Sequence, residues 1–118
     1  MEIEELKQTI QNEDAVMIYF SGEFCGVCKV LQPKIKEAFA NEFPKIKQIY
    51  ISVEQYKQTA AEFGVFAVPT IIVFFDKKEF ARKSRNLSVA GFVDELQRPY
   101  GLFFQGNFAK QPLFASFN

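Results

Sequence analysis

The residues whose type and spacing could do chemistry are two cysteines, Cys25 and Cys28, with Gly26 and Val27 between them. A dithiol at this spacing can cycle between two thiols and a disulfide: one sulfur attacks as the thiolate, and the other resolves the mixed disulfide that results. Half of a zinc site is the competing reading. Structural zinc takes four ligands from Cys and His, whereas this chain has two Cys and no His. The absence of histidine also excludes imidazole acid–base catalysis and Cys–His nucleophile pairs within one chain. An inert pair is the third reading.

The elements around the pair weigh these readings. Ala15 to Phe20 is a compact apolar run bounded by Asp14 and by Ser21-Gly22, which predicts a strand buried on both faces. A helical pattern begins around Gly26 and continues through Val30, Leu31, Ile35, Ala38 and Phe39, stopping before Pro44. Pro33 inside it predicts a kink. Cys25 thus falls at the junction of strand and helix. The start of a helix presents unpaired backbone N–H groups and a partial positive charge, which stabilise a thiolate. Cys28 lies one turn further in, on the same side, within reach of a mixed disulfide at Cys25. A pair so placed beside a βαβ pattern is a strong redox signal.

The remaining segments supply the scaffold. Ile3, Leu6 and Ile10 recur at helical spacing, and Ile46 to Val53 alternates as a strand does. Gln55 to Phe63 reads as a helix closed by Gly64. Thr70 to Phe75 is the clearest strand, and an Asp76-Lys77-Lys78 turn returns Glu79 to Lys83 as an antiparallel edge strand. Ser88 caps a helix to Gln97, with Val89, Phe92, Val93 and Leu96 on one face. This order predicts an α/β layer fold with a mixed sheet. After Pro99 no period fits, so the expected division is a domain over 1–98 and a Phe-rich C-terminal extension over 99–118.

The run Phe24-Cys25-Gly26-Val27-Cys28-Lys29, with Pro33 further along and Phe63-Gly64-Val65 leading into Val68-Pro69-Thr70, resembles thioredoxin. The resemblance spans about Ala15 to Gln97 by eye. It implies the thioredoxin fold, a mixed central sheet flanked by helices, here lacking the family's first strand because few residues precede the first helix. The Ile46 to Val53 strand would then form an open edge. The resemblance makes Cys25 and Cys28 catalytic. It also implies that Pro69 follows a cis peptide bond, placing the Val68 backbone beside Cys25 to pair with an extended substrate. Gly26 lets the substrate backbone approach, and Phe66 adds an apolar contact.

Several positions depart from the family pattern. Val27 stands where thioredoxin has proline, which should alter the balance of thiol and disulfide forms. Phe24 replaces the usual tryptophan. Arg85 falls where the family has a glycine on the groove rim, and it either selects a carboxylate-bearing partner or is a solvated edge charge. The family's buried aspartate and neighbouring lysine, implicated in taking the proton from the second cysteine, align with Tyr19 and Tyr50. Tyrosine, with an unperturbed pKa near 10, is a poor base at neutral pH, so slow resolution of the mixed disulfide is expected. The plainer reading is that both are core aromatics with hydrogen-bonded hydroxyls.

The expected activity is reduction of protein disulfides through the CGVC dithiol. No cofactor or metal is expected, and a thioredoxin reductase or small thiol would donate the electrons. The alternative is a redox-inactive thioredoxin-fold module for protein binding or a chaperone-like role. The chain has 15 Phe and no Trp, and Phe103, Phe104, Phe108, Phe114 and Phe117 in the tail would be a liability if exposed. Packing onto the open edge or against a second copy, as a homodimer, is expected instead. Zero net charge without a basic stripe speaks against nucleic acid. The acidic N-terminus lacks a secretory pattern, and no run approaches the roughly 18 apolar residues of a membrane span, so a cytoplasmic location is expected.

Overall fold

A computed structural model describes residues 2–104. Its elements are α1 (Ile3–Asn12), β1 (Ala15–Ser21), α2 (Gly26–Glu42), β2 (Lys47–Ser52), α3 (Lys57–Glu62), β3 (Thr70–Phe75), β4 (Lys78–Lys83) and α4 (Val89–Phe104). The chain divides into a compact unit up to Leu87 and a second from Ser88 onward.

The first unit holds a four-stranded sheet in the order β2-β1-β3-β4. β1 runs parallel to β2 and antiparallel to β3, and β4 returns antiparallel to β3, so the sheet is mixed as the sequence predicts. Among the described residues β2 is an outer strand. Residues 15–20 of β1 are all buried, which explains why that run is apolar on both of its faces.

Strand alternation assigns the two faces. Val16, Ile18 and Phe20 join Ile72 and Phe74 of β3, Leu6 and Ile10 of α1, Ala60 of α3 and Val65 in one hydrophobic cluster. Burying each large apolar side chain there contributes about 1.5–3 kcal/mol. Met17 and Tyr19 point the other way, and the Tyr19 hydroxyl reaches the first turn of α2. Cys28, Ile35 and Phe39 are the buried side chains of α2, which continues past Pro33 to Glu42.

Several element boundaries differ from the sequence reading. α3 begins at Lys57 rather than Gln55, because Ser52 holds the two preceding amides in a turn: its hydroxyl accepts from Gln55 N at 3.4 Å and its carbonyl from Tyr56 N at 3.0 Å. The β3–β4 turn narrows to Asp76 and Lys77, both at positive φ, because Lys78 already pairs with Phe75. Gly64 does occupy the left-handed position beyond α3, with φ of 70°.

In the second unit, Ser88 Oγ accepts from Gly91 N at 3.1 Å at the start of α4. That helix does not stop at Gln97. It passes through Pro99 to Phe104, where the Tyr100 and Phe104 rings pack one turn apart with centroids at 4.8 Å. Such i, i+4 contacts support a helix beyond a residue that cannot donate an amide. Phe108, Phe114 and Phe117 lie outside the described residues.

Candidate active site

β1 ends at Ser21, and a turn closed by Cys25 N donating to Gly22 O at 3.2 Å delivers Cys25 to the start of α2. Cys25 is the N-cap of that helix, in an extended conformation, and its Sγ accepts from Cys28 N at 3.1 Å. A sulfur has thus taken the place of the Ser, Thr or Asp oxygen that usually satisfies such an amide. Cys25 is half-buried, whereas Cys28 is 1% exposed, and the two are joined as a disulfide with Cα atoms 5.2 Å apart.

Concavities flank the pair. A shallow pocket is lined by Gly22, Phe24, Cys25, Glu54, Val68 and Arg85. A second, on the α2 side, is lined by Gly26, Val27, Val30, Leu31, Lys34 and Arg85. The structure thereby brings Phe24, Val68 and Arg85 together with Cys25, while Gly26 and Val27 border the neighbouring pocket that shares Arg85. Phe24 stands 90% exposed, an orientation that leaves an apolar ring beside the sulfur. The Val68–Pro69 bond is cis, with Pro69 buried and Val68 half-buried.

Phe66 is placed elsewhere. It is 86% exposed and lines a separate concavity with Gly64, Ala67, Thr70 and Arg82, not the two pockets beside the dithiol.

Behind the cysteines lie the two tyrosines. Tyr19 and Tyr50 are register partners across β1 and β2, with ring centroids 5.6 Å apart. The Tyr19 hydroxyl donates to Cys28 O at 2.9 Å, and the Tyr50 hydroxyl donates to Gln48 Oε1. Burial, then the neighbouring Tyr50, pushes Tyr19 up to about 12, and burial pushes Tyr50 up to about 12. Both hydroxyls therefore keep their protons at neutral pH and spend them on fixed acceptors. Neither is a base for Cys28.

Glu54 is the site residue the sequence reading passed over. Its Oε1 accepts from Glu23 N at 3.0 Å and from Ser52 Oγ at 3.3 Å, tying the loop before Cys25 to the end of β2. The Glu23 amide is the main reason the Glu54 carboxyl lies below its ordinary range. A signal existed: β1 and β2 are parallel, so residues just beyond Ser21 and Ser52 meet at the same sheet end. Gly22 is equally constrained, since a Cβ there would meet Val68 Cγ2 at 3.1 Å and Glu54 Oε2 at 3.3 Å. Among the described residues no cluster of three or more Cys, Asp and Glu could hold a metal, and no helix is long and apolar enough to cross a membrane.

A half-exposed N-cap sulfur bonded to a buried partner one turn behind, on a mixed sheet flanked by helices, defines a redox dithiol centre of thioredoxin-like architecture. The thioredoxin family model matches residues 1–98, and the chain belongs to the thioredoxin family. The Thioredoxin-like protein YdfQ of Bacillus subtilis (strain 168) is 30% identical over 98 residues, covering 83% of this chain and 87% of that protein. Thioredoxin of Chlamydia muridarum (strain MoPn / Nigg) is 39% identical over 67 residues, 57% of this chain and 65% of that one. Among solved structures, mitochondrial thioredoxin 3 from Saccharomyces cerevisiae in its oxidized form has a TM-score of 0.72 at 21% identity, over 82% of this chain and 90% of that one. That likeness speaks for the fold. Thioredoxin 1 from Thermosipho africanus TCF52B has a TM-score of 0.67 at 30% identity, over 74% of this chain and 96% of that one. Family membership and the Cys25–Cys28 bond together support thiol–disulfide oxidoreductase chemistry.

Proposed function

We propose that this chain reduces protein disulfides through Cys25 and Cys28, with Cys25 as the attacking sulfur. The observation that carries the reading is the difference in access: Cys25 is half-buried at the helix start, and Cys28 is sealed behind it. Once the pair is reduced, the amide end of α2 favours the Cys25 thiolate over the thiol. That thiolate attacks a substrate disulfide, forming a Cys25–substrate bond and releasing one substrate thiolate. Cys28 then attacks Cys25 Sγ, releases the second substrate sulfur and leaves the Cys25–Cys28 disulfide. Two electrons pass from the dithiol to the substrate. A thioredoxin reductase or a small thiol returns them.

In this reading Gly26, Val27, Phe24, Val68 and Pro69 line the path of an extended substrate, with Arg85 on its rim and Phe66 as an outlying apolar contact. Residues 1–98 carry the activity in a reducing cytoplasm, and residues 99–118, of which 99–104 continue α4, make up the Phe-rich extension. A second copy would pair through the outer edge of β2 or through the C-terminal extension, most of which lies outside the described residues.

Insulin reduction tests the proposal, because the freed B chain precipitates and scatters light. The wild-type chain with dithiothreitol accelerates precipitation, and Cys25→Ser falls to the rate of dithiothreitol alone. Retention of the wild-type rate by Cys25→Ser would overturn the mechanism.

A further inference from the structure

The two pockets beside Cys25 share Arg85 but differ in charge. Glu54 lines the Phe24 side, with one carboxylate oxygen held by the Glu23 amide. The α2 side has an apolar floor of Val27, Val30 and Leu31, and its charged residues, Lys34 and Arg85, are both cations. Lys34 and Arg85 are exposed, and among the described residues neither forms an ion pair. Glu37, one turn beyond Lys34 on α2, is likewise unpaired with it. Two unneutralised cations over an apolar floor attract an anionic side chain whose neighbour can bury apolar surface. A guanidinium is also suited to paired hydrogen bonds with a carboxylate.

We propose that the pocket formed by Val27, Val30, Leu31, Lys34 and Arg85 selects polypeptide disulfides that carry an acidic residue on one side of the reacting cysteine. The selection is one-sided because Glu54 repels a carboxylate on the opposite side. Lys34 and Arg85 act as specificity determinants, and Cys25 and Cys28 still do the chemistry. This inference rests on the reductase reading above and deepens it by naming the substrate class.

The test uses the full chain, reduced beforehand with dithiothreitol and freed of it, in single turnover. Substrates are short peptides with one cysteine bound as a mixed disulfide to 5-thio-2-nitrobenzoate. Cys25 thiolate attacks the peptide sulfur and expels the coloured thiolate. Cys28 then attacks Cys25 Sγ, releasing the peptide thiol and leaving the protein disulfide, so the protein's own dithiol supplies both electrons. The readout is the second-order rate of colour release for peptides with Glu before the cysteine, Glu after it, or Gln at both places.

The expected result is a preference for one of the two Glu peptides over the Gln peptide of about fivefold at low ionic strength, the factor that two screened surface pairs supply. The ratio falls towards one in the Lys34→Gln/Arg85→Gln variant and in high salt. Equal rates for all three peptides, equal preference for both Glu peptides, or a ratio that survives the double substitution would each overturn the pocket's role. Reduction of none of the peptides by the wild-type chain would instead remove the reductase reading, and this inference with it.

Discussion

The Tyr19 hydroxyl donates to the carbonyl oxygen of Cys28 at 2.9 Å, tying the centre of β1 to the first turn of α2 directly behind the dithiol. Its proton is committed to holding the helix in place. In the proposed cycle Cys28 gives up its own proton to water or to another group.

Tyr19→Phe keeps the buried ring and removes that bond. A buried hydrogen bond contributes about 1–2 kcal/mol when its loss leaves a partner unsatisfied, so urea unfolding should show a loss of that size. The pH profile for resolution of a Cys25 mixed disulfide should keep its midpoint. A displaced midpoint in Tyr19→Phe would mean that the tyrosine takes part in the proton transfer.

Alkaline unfolding reads the same pair. Tyr19 and Tyr50 are each raised from 10.0 to about 12 in the folded chain, so between those values the folded state binds more protons than the unfolded state. Their contribution is complete below pH 10 and is lost as pH climbs towards 12. The urea midpoint should fall across this window, and less steeply in Tyr19→Phe. Parallel slopes for the two proteins would refute the assignment.

Glu54 makes the opposite prediction at acid pH. Its carboxyl is held below the ordinary range, mainly by the Glu23 amide, so its hold on the loop is present above that range and is lost as pH falls through the folded value. Hydrogen exchange at the Glu23 amide measures this directly. Protection at neutral pH should drop several-fold in Glu54→Ala, and wild-type protection should decline on acidification.

Gly22→Ala tests how tightly the loop before Cys25 sits against the Val68 loop. The added Cβ would press on Val68 Cγ2 at 3.1 Å and Glu54 Oε2 at 3.3 Å, and overpacking of this kind costs about 1–3 kcal/mol. Because Val68 lines the pocket beside Cys25, insulin reduction should fall with it, several-fold. Unchanged stability and rate would show that Val68 yields freely.

Much of the scaffold is legible from local pattern. The apolar runs of β1 and β3 are fixed by burial on two faces, and the cysteine pair falls where an apolar run gives way to helical spacing. What local pattern misses depends on partners distant in the chain. Glu54 joins the site only because β1 and β2 end side by side, and α3 starts late because Ser52 captures two amides. Phe66 reads as a groove residue from its place before Pro69, whereas in the fold it lines a separate concavity with Gly64 and Arg82. α4 outlasts Pro99 because aromatic contacts one turn apart sustain it, a signal that a helix-breaking rule overrides. The readings of the Phe-rich tail fall largely outside the described residues.

The amide of Cys28 points at the sulfur of Cys25, so its hydrogen shares an acceptor with the chemistry. In the proposed cycle each swing of that sulfur between disulfide, thiolate and substrate adduct changes the field this one N–H feels. Its nitrogen-15 resonance is therefore a built-in gauge, letting the occupancy of every stage be followed in solution without attaching a dye or replacing a residue.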